Sequence, residues 1–118
     1  MSAILATNQF RRAVAHGVAE GGSVPRAVEI AFGIGTMPPS VADEALEVEL
    51  IRKPLLSAVA EGVVLRVKGT LLGTEAGNAT ITEVGVFAEG GILMGRRVFA
   101  PKQLEPVTRI DFDLDFQF

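Results

Sequence analysis

The stretch Ile81–Phe99, ITEVGVFAEGGILMGRRVF, decides the fold. Two apolar runs flank the pair Gly90-Gly91, and glycine readily adopts the positive φ that a tight turn between two strands requires. The stretch therefore predicts a β-hairpin with a Gly-Gly turn. Alternate residues of its first strand are expected to share one face: Ile81, Glu83, Gly85 and Phe87. The hairpin contains no histidine and no metal-binding cluster, so it predicts an architectural centre.

Further strands are expected on both sides of the hairpin because apolar residues alternate there with polar ones. These strands lie at 26–34, 47–54, 55–72 and 107–118. Glu61-Gly62 divides the third into two or marks a bulge, and a helix through Leu55–Glu61 is the competing prediction. The count is six or seven strands, with too few helical segments for a parallel α/β sheet. The fold class is therefore mainly β: an antiparallel β-sandwich or barrel-like domain with one N-terminal helix.

The predicted helix spans residues 3–22 of a single domain 1–118, in which residues 26–118 form the β-sandwich. Thr7 or Asn8 can cap its first turn, and Gly21-Gly22 ends it. Phe10, Val14 and Val18 recur at helical spacing and predict one apolar stripe.

The connections between these elements are expected to be short. Residues 33–40 read as a turn-rich loop, 41–46 as a single helical turn capped by Ser40, 73–80 as a polar loop and 100–106 as a connector with two prolines. Pro54 cannot donate a backbone hydrogen bond, so it is expected at the end of a strand or on a sheet edge.

The composition narrows the classes of function. The 118 residues contain no Cys, Trp or Tyr, and the net charge of −3 does not favour nucleic-acid binding. No apolar stretch is long enough for a signal peptide or a membrane span, so a cytoplasmic site of synthesis is expected. Apolar residues make up 48% and the mean hydropathy is +0.37. Two explanations are open: a surface covered by other subunits, which predicts a homo-oligomer, or a compact domain rich in Ala and Val.

The best candidate for ion binding is the row of acids in the last strand. Asp111, Asp113 and Asp115 are expected on one face, about 7 Å apart, where carboxylates could hold Ca²⁺ or Mg²⁺. The favoured interpretation is a solvated face, or acids that prevent edge-to-edge pairing. Neither a catalytic residue nor a cofactor is predicted.

Other polar residues predict no reaction. His16 is the single histidine, and it is expected on a polar helix face. The Gly33-x-Gly35 pair lacks the third glycine and the lysine of nucleotide-binding loops. Arg96 and Arg97 are expected on opposite faces of their strand, and one could pair with an aspartate of the last strand if the two strands are neighbours. Glu83, on the face of Gly85, is expected to be held by Arg97 or Arg96 and not to act as an acid. We therefore expect no enzyme.

Several motifs follow one another in a fixed order: a helix starting at Thr7-Asn8, Gly33-Ile34-Gly35-Thr36 with a following Pro, Asp43-Glu44-Ala45-Leu46, and ITEVGVF at 81–87. Together they resemble a family of small structural proteins of tailed bacteriophages and prophages, including tail-fibre and tail-collar-like N-terminal domains. The family pattern ends in I-T-E-x-G-L-F, and Val86 replaces its Leu here.

The resemblance implies a non-enzymatic virion component, most directly a tail, baseplate or fibre-attachment protein. It would be made in the bacterial host cytoplasm and would assemble with copies of itself, as a dimer or trimer, and with other virion proteins. No contact with nucleic acid or membrane is expected. Residues expected to serve structure or assembly are Phe10, Val14, Val18, Glu83, Gly85, Phe87, Arg97 and Phe99. Capsid decoration remains an alternative, as does a carbohydrate- or ligand-binding β-sandwich module, although such modules usually use the Trp and Tyr that this chain lacks.

Overall fold

Seven strands and two helices lie within residues 4–117, the part of the chain that the computed structural model describes. The helices are α1 (Asn8–Glu20) and α2 (Gly73–Ala76). The strands are β1 (Ala27–Gly33), β2 (Glu49–Pro54), β3 (Ser57–Glu61), β4 (Val64–Leu72), β5 (Thr80–Ala88), β6 (Ile92–Gln103) and β7 (Arg109–Gln117). They form one sheet in the order β2-β1-β5-β6 and another in the order β3-β4-β7, with antiparallel neighbours throughout. The predicted mainly β, sandwich-like domain with one N-terminal helix is confirmed.

The Gly-Gly hairpin is present as β5 and β6. Gly90 and Gly91 have φ of 83° and 74°, the left-handed conformation that favours glycine. The second strand is longer than predicted, because β6 continues through Pro101 to Gln103, where a connector was expected. The pairing register shifts between Ile81 and Glu83, and such an irregularity accommodates a proline that cannot donate to the ladder.

The main core fills the space between the two sheets. The alternation predicted for β7 is confirmed, since Phe112, Leu114 and Phe116 are buried. The ring of Phe112 packs against that of Phe32 on β1, with 5.0 Å between the centroids. Phe118, predicted to extend this row, lies outside the described residues.

The N-terminal helix begins later than predicted. Residue 3 lies outside the described part of the chain, and Ile4 pairs with Phe116 of β7 as an isolated parallel bridge, which requires extended backbone. The predicted cap is confirmed at Thr7, whose hydroxyl accepts a hydrogen bond from the backbone N–H of Phe10. The helix ends at Gly21, as predicted, in the left-handed conformation.

The short connections were predicted less well. Residues 41–46 form a turn, not a helix, in which the N–H of Ser40 donates to the carboxylate of Asp43. The expected loop at 73–80 contains the one-turn helix α2, whose Glu75 accepts from the N–H of Leu72. The division of 55–72 and the position of Pro54, at the end of the edge strand β2, agree with the sequence.

Candidate functional site

Strand β5 is buried on both faces, because a second, smaller hydrophobic cluster lies on the outer side of its sheet. One face of β5 points between the sheets, and the other is covered by the segment 34–48, which joins β1 to β2. On the covered face, Phe87 packs with Leu46 of that segment and with Ala31 and Leu93. The same face carries Glu83, which is 0% exposed.

The carboxylate of Glu83 holds the two ends of the covering segment. Its Oε2 accepts from the backbone N–H of Gly35 at 2.7 Å and of Val48 at 2.9 Å. Its Oε1 accepts from the N–H of Glu47 at 3.0 Å. A buried carboxylate requires such donors, because removing the charge from water without them is costly. One side chain therefore closes the base of a loop.

Arg96 holds the middle of the same segment. Its side chain is 2% exposed, and its Nε donates to Oε1 of Glu83 at 3.2 Å. The other guanidinium nitrogens donate to the carboxylate of Asp43 at 3.0 Å and to the carbonyl of Met37 at 2.8 Å. Arginine suits this position because its planar fork presents several donors in fixed directions. Strands β6 and β7 belong to different sheets, so the condition set for pairing Arg96 or Arg97 with a β7 aspartate is not met.

Two glycines allow the segment to lie close to β5. A Cβ at Gly85 would lie 2.6 Å from Cδ2 of Leu46, and one at Gly35 would collide with the Glu83 carboxylate. The hydroxyl of Thr82 donates to the carbonyl of Gly35 at 2.6 Å, which adds a further link. We call this assembly, formed by Glu83, Arg96, Asp43, Thr82 and the segment 34–48, the loop clamp.

The pKa of Glu83 reflects two opposed effects. Burial favours the neutral acid and would raise the pKa. The three backbone N–H donors, together with the positive charge of Arg96, outweigh burial and lower the pKa below its ordinary value of 4.5. The carboxylate is therefore charged at neutral pH, and its oxygens are occupied by donors from the protein itself.

The buried polar atoms of the loop clamp are all paired. Within residues 4–117, every buried side-chain nitrogen or oxygen has a hydrogen-bond partner. The clamped segment nevertheless exposes a set of apolar side chains: Ile34, Met37, Val41 and Val48. A loop with a fixed backbone and exposed apolar side chains presents a preorganised surface.

The three aspartates of β7 lie opposite polar residues of β4. They share the outer face, as predicted, and their partners across the sheet on β4 are Thr70, Lys68 and Arg66. Asp111 accepts from the Thr70 hydroxyl at 2.9 Å, and Asp115 lies 3.8 Å from Nε of Arg66. Among the described residues no group of three or more acidic, histidine or cysteine side chains could hold an ion. This face is a row of cross-strand polar pairs.

An apolar groove of about 860 Å³ opens at another side of the molecule, where the sandwich is not closed. The inward face of β3, with Ala58 and Ala60, forms one wall, and the segment 24–28 before and within β1 forms the other. Phe10 and Met94 lie at its base. The sequence did not indicate this groove. Small residues on a strand leave space between neighbouring elements, but their identity does not show which element lies opposite.

The predicted assembly residues separate by burial. Phe10, Glu83, Gly85 and Phe87 are buried within one chain, and the Arg52 guanidinium covers the ring of Phe87 at 3.7 Å. These residues serve the fold itself.

The remaining assembly residues lie nearer the surface. Val14, Arg97 and Phe99 are partly buried, whereas Val18 is 77% exposed. The predicted helix stripe therefore packs at its start and reaches solvent at its end.

Other sequence candidates lie apart from the clamp. His16 is exposed on α1, with Nδ1 3.6 Å from the carboxylate of Glu20. Neither helix described in residues 4–117 is long and apolar enough to cross a membrane. In comparisons with protein-family models, curated proteins and solved structures, nothing matches the chain.

Proposed function

We propose that the chain is a non-enzymatic structural component of a bacteriophage or prophage-derived virion. The most direct role is that of a tail, baseplate or fibre-attachment protein, which assembles with copies of itself and with other virion proteins. It would be made in the bacterial cytoplasm and reside in the particle. The proposal starts from the ordered motifs of the sequence.

The observation that carries the proposal is the meeting of these motifs at Glu83. The G-x-G-T motif contributes the N–H of Gly35, the D-E-A-L motif contributes Asp43 and Leu46, and the I-T-E-x-G motif contributes Glu83 itself. Gly35 and Glu83, which belong to different motifs and share a hydrogen bond, are 48 positions apart in the sequence. Their convergence on one buried cluster supports the interpretation of the motifs as one structural unit.

The chemistry of the clamp supports a role in protein contacts. Removing charges from water is costly, and replacing such a cluster with apolar residues is often neutral or stabilising for the fold. Here the charges hold one particular loop, whose apolar side chains Ile34 and Met37 are exposed. A virion component requires such a fixed contact surface, whereas an enzyme requires a reactive group within reach of substrate.

The first test is genomic. Genes for tail tube, baseplate or fibre proteins on both sides of this gene are expected. A metabolic operon would contradict the proposal.

The second test is biochemical. Particles produced by the phage, or induced from the prophage-bearing bacterium, are purified on a density gradient and analysed by mass spectrometry for peptides of this chain. The expected result is co-sedimentation with tail proteins in tailed particles. Co-sedimentation with capsids that lack tails would support capsid decoration instead. Absence from particles, together with saturable binding on a glycan array, would support the carbohydrate-binding alternative.

A further inference from the structure

Within the described part of the chain, strand β3 lies at the edge of its sheet. It is the outermost strand of the β3-β4-β7 sheet, and none of the residues 4–117 pairs with its free side. Proteins usually protect such edges with lysine, proline or a bulge. The β3 sequence, Ser-Ala-Val-Ala-Glu, contains neither lysine nor proline, and its register with β4 is continuous. Val59 at its centre is 51% exposed.

We propose that β3 pairs antiparallel with β3 of a second copy of this chain, about a twofold axis at Val59. This register places Ala58 opposite Ala60 of the second copy and Ser57 opposite its Glu61. No like charges meet across the contact, and the two three-stranded sheets join into one of six strands. The contact is isologous, with the same patch used on both copies.

Charge complementarity favours this occupant. Lys68 on β4 is exposed and lies directly beside Ser57 on β3. In the proposed register, Glu61 of the second copy lies on the other side of Ser57. Adjacent strands are about 4.8 Å apart, so the Lys68 and Glu61 backbones are about 10 Å apart, with only the small serine side chain between them. Long lysine and glutamate side chains span that distance, and the symmetry creates two such pairs.

An apolar patch adjoins both ends of the strand. Val63, in the β3–β4 turn, is 65% accessible, and it lines the apolar groove together with Leu55, which precedes β3. The proposed contact therefore lies beside the groove of each copy.

This contact supplies a surface for the self-assembly in the proposed function, and it rests on that part of the proposal. The two can fail separately. A trimer formed through another surface would overturn the β3 contact and leave a virion role intact. A β3-paired dimer that is absent from particles would support the β3 contact and contradict the virion role.

The sharpest test uses engineered disulfides, since the chain contains no cysteine. Directly opposite residues in an antiparallel pair have Cα atoms about 4.5–5.5 Å apart, which suits a disulfide. Val59→Cys is therefore expected to form a covalent dimer under mild oxidation. Ser57→Cys is the matched control, because its two copies would be four residues out of register, about 13 Å apart. Val107→Cys, at a 95% exposed position, reports random collisions.

A charge exchange tests the register independently. Lys68→Glu alone is expected to raise the dimer dissociation constant roughly 2- to 30-fold, because it removes two exposed ion pairs between the copies. Glu61→Lys is expected to raise it at least as much, because it also breaks the 3.9 Å contact of Glu61 with Arg66 within each copy. The double variant is expected to restore most of the affinity. Val59→Lys, which places two like charges at the axis, is expected to give a monomer by light scattering with an unchanged far-UV circular dichroism spectrum.

Three results would overturn the inference: a wild-type monomer at the highest soluble concentration, a dimer in which Val59→Cys crosslinks no faster than Val107→Cys, or an oligomer unaffected by the charge exchange. A monomer that enters particles only when Val59 is intact would assign the edge to a strand of a different protein, and would also overturn pairing with a second copy. If Val59→Lys fails to fold, the cysteine and charge variants decide.

Discussion

Removing the Glu83 carboxylate tests whether the loop clamp holds the fold. In Glu83→Ala, the backbone N–H groups of Gly35, Glu47 and Val48 lose their acceptor. Arg96 keeps its charge in a site where its side chain is 2% exposed, with Asp43 as its remaining acidic partner. The substitution therefore leaves both unpaired donors and a buried charge that is only partly compensated.

The structure sets the size of the effect. Breaking a buried ion pair by removing one partner costs about 3–5 kcal/mol. Each orphaned buried N–H adds about 1–3 kcal/mol if water does not reach it, and the vacated space allows some water to enter. We expect Glu83→Ala to lower the free energy of unfolding by about 4 kcal/mol, a large part of the 5–15 kcal/mol typical of a domain. Glu83→Gln keeps one acceptor oxygen, so a loss of about 2–3 kcal/mol is expected.

The measurement is urea unfolding followed by far-UV circular dichroism, since the chain has neither Trp nor Tyr to report by fluorescence. The matched control is Glu44→Ala, because Glu44 pairs with Arg12 at 3.5 Å and both side chains are more than 60% exposed. Exposed pairs contribute about 0–1 kcal/mol. The control should therefore unfold close to the wild-type midpoint.

A loss below about 1 kcal/mol for Glu83→Ala, similar to the exposed control, would refute the reasoning. It would mean that the segment 34–48 stays in place without the carboxylate, or that it contributes little to folding. If the alanine variant does not fold at all, the glutamine variant still decides, because its expected loss leaves a measurable transition.

Three further predictions follow from the same geometry. Because folding lowers the pKa of Glu83, the ionised carboxylate contributes to the free energy of unfolding above pH 4.5, and this contribution is lost as pH falls through the folded pKa. Glu83→Gln should therefore flatten the pH dependence of stability below pH 4.5, as measured by urea midpoints. Gly85→Ala should lower the free energy of unfolding by about 1–3 kcal/mol, because the added Cβ displaces Leu46. The double variant with Leu46→Ala should lose less than the sum of the two single losses, whereas full additivity would exclude the contact. At Gly90 the space is open but φ is 83°, so Gly90→Ala should cost about 1 kcal/mol through backbone strain and Gly90→Asn less, and equal midpoints for all three proteins would contradict this.

The sheets were largely predictable because their signal is local. Alternation of apolar residues reports which side of a strand is buried, and in β7 it identified Phe112, Leu114 and Phe116 correctly. The Gly-Gly pair identified the central turn because positive φ is rare in other residues. Each of these signals depends only on the residue type and its immediate neighbours.

The parts that failed depend on distant partners. Residues 4–6 do not continue the helix, because Ile4 instead pairs with Phe116 of β7. The one-turn helix α2 forms where a loop was expected, and Lys53 of β2 pairs with its Glu75. The residue types near these positions do not predict contacts with such distant partners.

The clamp was partly predictable. Glu83 shares a strand face with Gly85, so a partner was expected to hold it, either Arg97 or Arg96. The structure shows that Arg96 is that partner. The principal partners are backbone N–H groups of Gly35, Glu47 and Val48, which every non-proline residue possesses. Sequence alone therefore could not show that the acid closes a loop.

The loop clamp and the β3 edge, with which no strand of residues 4–117 pairs on its outer side, are the two contacts that we propose for a connector. The clamped segment covers the outer face of β5 in the four-stranded sheet, whereas β3 borders the three-stranded sheet. Contacts at these two places use different residues, so occupation of one leaves the other available. A component that joins a copy of itself through β3 can therefore present the loop with Ile34 and Met37 to a different protein. A clamp variant that still dimerises through β3 but no longer enters particles would separate the two contacts experimentally.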